Sequence, residues 1–156
     1  MSAHHFLFDW GDTLMVDFPN QTGAMCDWPH VKQVPGALDC LRRLRSQAVC
    51  HLATNARDSD PQQIRRALLR AGLSAYIDNI FCYHTVGCDK TDPAFYAFIV
   101  EALHVLPGQI TMVGDSLTKD IYPAMAQGIN TIWYNPQQQP CPANVLSVAH
   151  LSHIVL

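Results

Sequence analysis

Carboxylates, hydroxyls and a lysine appear in this chain where apolar runs stop. Asp9-Trp10-Gly11-Asp12-Thr13 closes one such run, and Thr54-Asn55 closes a second. Gly114-Asp115-Ser116 closes a third, with Asp120 about one helical turn further on. Lys90 stands just ahead of a helical pattern that Asp92-Pro93 opens. Carboxylates gathered from separate segments repel one another unless a cation lies between them, and an oxygen-rich site with water suits Mg2+. A lysine, a threonine hydroxyl and turn-exposed backbone N–H groups are what a phosphate requires. Brought together, these groups would make a Mg2+-assisted phosphoryl site.

Whether they meet depends on the elements that carry them. His5 to Trp10 (HFLFDW) reads as a short buried strand, ended by Gly11-Asp12 as a turn. The stretch from about residue 15 to 34 holds Pro19, Gly23 and Pro29 without a clear period, and reads as a loop or flap. Pro35 opens a helix whose apolar stripe is Leu38, Leu41, Leu44 and Ala48, with Arg42, Arg43 and Arg45 largely elsewhere. Val49 to Ala53 is a second strand. Pro61 opens a helix with Ile64, Ala67, Leu68 and Ala71 on one face and Gly72 as its stop. Asn79 to Tyr83 reads as a short strand, and Asp92-Pro93 caps a helix to about His104. Ile110 to Val113 is the next strand, residues 118 to 127 a helix stopped by Gly128, and Ile129 to Tyr134 a further strand. The apolar end from Val145 to Leu156 takes no firm assignment.

Strands alternating with helices predict repeated βαβ units. The expected fold is α/β, a Rossmann-like three-layer α/β/α sandwich around a mainly parallel sheet. In such sheets ligands bind outside the carboxyl ends of the strands, where the polar groups stand.

The length of 156 residues suits one domain over the whole chain. Apolar residues make up 49%, which supports a buried core and excludes a wholly disordered chain. The net charge of −3 gives no reason to expect nucleic acid or an anionic membrane as a partner. No apolar run approaches the roughly 18 residues of a transmembrane helix, and Met1 to His5 lacks the features of a leader, so a cytoplasmic protein is expected. The six cysteines are dispersed and read as reduced, mostly buried apolar residues. His4-His5 reads as a surface pair, and Cys82, His84 and Cys88 lack a fourth zinc ligand. The arginine clusters, Arg42, Arg43 and Arg45 and then Arg65, Arg66 and Arg70, read as outer helix faces.

The four polar segments, in their order, resemble the four motifs of the haloacid dehalogenase (HAD) superfamily. FDWGDTL at 8–14 resembles motif I, LATN at 52–55 motif II, CDKTDPAFY at 88–96 motif III, and VGDSLTKD at 113–120 motif IV. The likeness continues through GINTIWYN and covers about residues 5–135. It implies a HAD-like fold and a Mg2+-dependent phosphatase acting on a phosphomonoester. Asp9 would be the nucleophile, forming an aspartyl-phosphate that water hydrolyses. The implied Mg2+ ligands are Asp9, Asp115, Asp120 and the backbone carbonyl of Gly11, with Asp120 also placed to position Lys90. Thr54 and Lys90 would hold the phosphoryl oxygens, and Trp10, Gly11 and Asn55 would complete the substrate-binding set.

The chain departs from that pattern in two places. The family usually carries an Asp two residues after the nucleophile as general acid and base; here Gly11 stands there, and Asp12 occupies the usual Gly position. Asp12, Asp17 or water would have to substitute, or hydrolysis would be weak or lost. The alternative function is therefore a phosphate-ligand or partner-binding protein that keeps the fold and metal site. Thr91 follows Lys90 where Pro is usual. The intervals in which caps are inserted are mostly taken up by core elements, so no substantial cap is expected. An open site implies a bulky or macromolecular phosphoester, or a neighbouring subunit as lid in a homo-oligomer.

Overall fold

The computed structural model describes residues 3–156; Met1 and Ser2, part of the segment read for a leader, lie outside it. Its strands are β1 (His4–Phe8), β2 (Ala48–Ala53), β3 (Ile80–Phe81), β4 (Ile110–Gly114), β5 (Asn130–Tyr134) and β6 (Ser147–Val148). They form one sheet in the order β3-β2-β1-β4-β5-β6. Every neighbouring pair is parallel. The α-helices are α1 (Ala37–Arg45), α2 (Pro61–Arg70), α3 (Tyr83–Val86), α4 (Pro93–Leu103) and α5 (Tyr122–Ala126).

The three layers follow from strand alternation. Phe6 and Phe8 of β1 pack with Leu41 and Leu44 of α1 and Ile64 and Leu68 of α2. Leu7 between them points the other way, into a core with Phe95 and Ile99 of α4 and Ala124 of α5. The chain turns from β1 to β2 on one side, then crosses from β3 back to β4 on the other, so β1 and β4 flank the switch point. That is where a crevice opens in sheets of this kind.

Local chemistry explains the boundaries. Asp60 caps α2 by accepting the Gln63 N–H at 2.8 Å, while Gln63 accepts the Asp60 N–H at 2.8 Å. Asp92 caps α4 through the Ala94 N–H at 2.9 Å. The elements depart from the sequence reading at several points, the first being Ala48, which opens β2 instead of closing the stripe of α1. β1 ends at Phe8 rather than Trp10, because the Trp10 carbonyl accepts the N–H groups of Leu14 and Met15 and the chain turns. α1 starts at Ala37, with Gly36 in a left-handed conformation (φ +86°) between Pro35 and the helix. β3 keeps only Ile80–Phe81, because Thr85 Oγ1 binds the Cys82 N–H and draws the next residues into α3. The helix expected from 118 opens as a π-turn, Leu117–Ile121, before α5. Pro123 has no N–H for the Lys119 carbonyl, which instead accepts the Tyr96 hydroxyl at 3.0 Å.

Arg43 donates to the carbonyls of Leu151 and Ile154, seating the C-terminal segment against α1. Arg65 donates to the carbonyls of Ser74, Ile77 and Asp78. Arg42, Arg43, Arg45, Arg66 and Arg70 are exposed on their helices as expected, and Arg65 is half-buried. His4 and His5 differ from the expected surface pair, since both belong to β1 and are half-buried. The His5 ring stacks on His51, with Nδ1 2.9 Å from His51 Nε2. All six cysteines are free; Cys40, Cys50 and Cys82 are buried, and Cys141 is exposed. No helix among the described residues is long and apolar enough to cross a membrane.

Candidate active site

The carboxyl end of β1 sets the centre. The Asp9 N–H still pairs with the Val113 carbonyl at 2.9 Å, so the sheet fixes its backbone. Its side chain points into a cluster. Lys90 Nζ stands 2.7 Å from Asp9 Oδ1 and 2.8 Å from Asp120 Oδ1. Thr13 Oγ1 donates to Asp9 Oδ2 at 3.2 Å, and lies 3.5 Å from Asp115 Oδ1. Thus a lysine from ahead of α4 and two carboxylates from beyond β4 close on the end of β1.

Each member has its own anchor. The Asn55 side-chain carbonyl accepts the Lys90 N–H at 2.8 Å, linking the end of β2 to the lysine segment. Asp120 Oδ2 accepts the Ser116 N–H at 3.1 Å. Gly114 makes room for this: a β-carbon there would overlap the Asp120 carboxylate. Trp133 Nε1 donates to the Asp115 carbonyl at 2.9 Å. Thr54 Oγ1 accepts the Ala56 N–H at 3.1 Å, which leaves its hydroxyl proton free to donate elsewhere.

Burial and charge act against each other here. Lys90 and Asp120 are each 1% exposed. Burial disfavours the Lys90 charge, but Asp120 first and then Asp9 outweigh it and hold the ammonium firmly protonated. Burial opposes the Asp9 charge too, yet Lys90 and several hydrogen bonds keep its carboxyl below the usual range. Asp115 is pushed up to about 8 by burial, then by the hydrogen bond and charge of Asp9. Asp120 is pushed to about 6, mainly by burial, with Lys90 opposing. One ammonium therefore does not neutralise three carboxylates. Asp9, Asp115 and Asp120 can each bring one oxygen within 4.8 Å of the others. This all-oxygen set with surplus negative charge fits a hard divalent cation. Among the described residues it is the one such group; Cys82, His84 and Cys88 are not brought together.

The cluster opens into a pocket of about 370 Å3, lined also by Trp10, Gly11, Asp12, Asp17, Thr54, Asn55, Arg57, Asp58 and Lys119. The flap forms one wall. Its two ends are pinned by the Val16 N–H to the Lys32 carbonyl and the Val34 N–H to the Leu14 carbonyl, both at 2.8 Å. Its middle is clamped by Arg70, which donates to the carbonyls of Cys26, Trp28 and Pro29. Trp28 faces the pocket, whereas Phe18 packs edge-on against Trp28 outside the lining. Trp10 Nε1 lies 3.1 Å from Met25 Sδ, joining the site to the flap.

All eight residues singled out from sequence line this pocket: Asp9, Trp10, Gly11, Thr54, Asn55, Lys90, Asp115 and Asp120. Thr13 and Asn55 act in ways the spacing did not show, one bridging two carboxylates and the other holding the Lys90 backbone. Asp12 has φ +61° and accepts the Asp17 N–H at 3.0 Å, so its carboxylate is committed to the turn. Asp17 has its carboxyl raised above the ordinary value by burial, then by the charges of Asp12 and Asp9.

Comparison with known proteins agrees with this geometry. The family model described as haloacid dehalogenase-like hydrolase matches residues 11–128. A glyceraldehyde 3-phosphate phosphatase of Pyrococcus furiosus is 29% identical over 105 residues, 67% of this chain and 43% of that protein. The pyrimidine 5'-nucleotidase PynA of Streptococcus pneumoniae is 39% identical over 70 residues, 44% of this chain and 30% of that protein. The chain spans less than half the length of these curated relatives. An uncharacterized protein from Listeria monocytogenes serotype 4b superposes with a TM-score of 0.84 at 26% identity, covering 97% of this chain and 94% of that one. On the family match, the fold and the residues gathered at the end of β1, the chain belongs to the haloacid dehalogenase-like hydrolases.

Proposed function

We propose that this chain is a phosphatase that hydrolyses a phosphomonoester through an aspartyl-phosphate on Asp9. The observation that carries the reading is the Asp9 carboxylate itself. It is held ionised at a strand end by Lys90 at 2.7 Å and Thr13 at 3.2 Å, and it faces an open pocket. An ionised carboxylate fixed in this way is a ready nucleophile. Thr54 donates its hydroxyl to a phosphoryl oxygen, Lys90 offsets the charge that develops there, and Trp10, Gly11 and Asn55 surround the group. Lys90 also keeps Asp9 aligned through their shared hydrogen bond. Asp9, Asp115, Asp120 and the Gly11 carbonyl would hold Mg2+, which supplies neutralisation of phosphate charge when bound.

The relatives that act on phosphate esters support this reading. An open pocket with no cap among the described residues suits a bulky phosphoester or a site finished by a second subunit. A second reading, a non-hydrolysing phosphate-binding protein, draws on Gly11, which puts no side chain toward the leaving group. The test is phosphate release from a broad panel of phosphomonoesters with and without Mg2+, for the parent and Asp9→Asn. Mg2+-dependent release that Asp9→Asn abolishes, with folding intact, is expected. Release that survives Asp9→Asn refutes the mechanism, and no release from any ester favours the binding protein.

A further inference from the structure

Displacing an ester oxygen from phosphorus leaves an alkoxide unless a proton is delivered as the bond breaks. Several side chains lining the pocket are already committed. Asp9 is bound by Lys90 and Thr13, Asp120 by Lys90 and Ser116, and the Asp12 carboxylate by the Asp17 N–H. The backbone near Gly11 shows a different arrangement. A β-carbon built on Gly11 would stand 3.3 Å from Asp17 Cβ, 3.4 Å from its Oδ2 and 3.6 Å from its Cγ. The Asp17 side chain thus packs directly against the place a side chain at position 11 would start, two residues along from Asp9, and lines the same pocket.

The placement is built, not incidental. The Trp10 carbonyl accepts from Leu14 and Met15, turning the chain back over itself. Met15 then bridges Gly11 on one side and Gln33 on the other. The Val16 N–H binds the Lys32 carbonyl at 2.8 Å and the Asp17 N–H binds Asp12 Oδ1 at 3.0 Å. Asp12 reaches that amide from a left-handed conformation that Asp adopts more readily than most residues. Gly11 and Asp12 therefore act together: the bare Gly11 lets Asp17 approach closely, and Asp12 anchors the Asp17 backbone there.

We infer that Asp17 is the acid–base residue of this site, serving the leaving group from across the turn in place of a side chain at position 11. This rests on the phosphatase reading above. As Asp9 bonds to phosphorus, the bond from phosphorus to the ester oxygen breaks, its electron pair passes to that oxygen, and the oxygen takes the Asp17 proton. Asp17, now a carboxylate, takes a proton from water as the water oxygen bonds to phosphorus. The bond to Asp9 breaks, its electron pair returns to the Asp9 carboxylate, and phosphate leaves with Asp17 protonated again.

The test separates leaving groups. Turnover of an alkyl phosphate and of p-nitrophenyl phosphate, which releases a stabilised anion, is compared in the parent, Asp17→Asn, Asp17→Gly, Gly11→Asp/Asp17→Gly and Asp58→Asn. Asp17→Asn should slow the alkyl ester by about 100-fold or more, in the range for lost acid–base help, and the nitrophenyl ester by far less. Gly11→Asp/Asp17→Gly should recover at least about tenfold over Asp17→Gly on the alkyl ester, because the carboxylate returns to the same space from the other strand of the turn. Equal losses on both esters, no recovery in the exchanged variant, or the selective loss appearing in Asp58→Asn instead would each overturn the assignment. A parent inert on both esters would overturn the phosphatase reading itself, and this inference with it.

Discussion

Lys90→Met removes the ammonium and keeps most of the stem's volume. In the folded chain that ammonium serves two carboxylates, at 2.7 and 2.8 Å, with itself and Asp120 almost wholly buried. Removing one partner of a buried pair costs about 3–5 kcal/mol, because the remaining charge stays out of water without compensation. Two carboxylates are stranded here, but Asp120 keeps the Ser116 N–H, Asp9 keeps Thr13, and either can take up a proton. The expected loss at about pH 8 is therefore about 3–5 kcal/mol. For a chain of this size it corresponds to a Tm lower by roughly 6–20 °C. The pH dependence has a definite sign. Without the lysine, the folded-state pKa of Asp120 rises further above its unfolded value than the present value of about 6. A carboxyl of that kind weakens the fold above the unfolded pKa, and the penalty fades as pH falls through the folded value. The deficit of Lys90→Met should shrink between about pH 8 and about pH 5. Thermal melts in a chelator would measure it for Lys90→Met, Asp120→Asn and the double variant. The double should lose less than the sum of the singles by about 1 kcal/mol or more. A Lys90→Met Tm within about 2 °C of the parent at the higher pH, or simple additivity, would refute the account of a lysine holding two buried charges.

Three further perturbations follow. His51 is buried and its pKa is pushed down to about 4, by burial and then by His5. Its neutral form supports the fold fully above about pH 6.5, and about 3 kcal/mol should be lost as pH falls through that range toward 4; His51→Gln should flatten this acid limb in melts across the interval. Gly114→Ala drives a β-carbon into the Asp120 carboxylate, so a loss of about 1–3 kcal/mol with a collapse of turnover is expected; parent-like melting and kinetics would contradict it. Arg70→Ala removes three hydrogen bonds to the flap, and amide exchange over residues 25–29 should quicken roughly tenfold while the sheet is unaffected.

The sequence carried the parallel sheet because its apolar runs are short and each is followed by a helix with its own start signal. Asp60-Pro61 and Asp92-Pro93 are examples, and both caps are present. The four polar strand ends were readable for the same reason: a carboxylate directly after a buried run is costly unless something receives it. Other features were not readable. The π-turn depends on Pro123 leaving the Lys119 carbonyl to Tyr96, a partner on another helix. β6 is two residues long and exists through its pairing with Trp133 and Tyr134. Nothing local in His4-His5 signals burial, because the partner that covers His5 is His51, 46 residues away. Asp17 is a candidate acid–base group from sequence, but in a stretch without period it has no position there; the turn over Gly11 places it beside Gly11 in the pocket.

The pairing of β1 with β4 has a consequence for how the chain comes to be folded. Residues 5–8 lie beside residues 110–113, so the centre of the sheet closes a loop of nearly the whole length to the fourth strand. Contacts of such separation form late, because their loop-closure entropy must be met before they stabilise anything. Asp9 stands ahead of β2 and β3 in the chain, yet Asp115 and Asp120 reach it only when β4 docks. That last step brings like charges together, so refolding should run faster when a divalent cation or mild acid screens them. Under the proposed function, turnover would report on completed docking: a chain arrested with β1, β2 and β3 assembled would hold much of its secondary structure, with Asp115 and Asp120 still apart from Asp9.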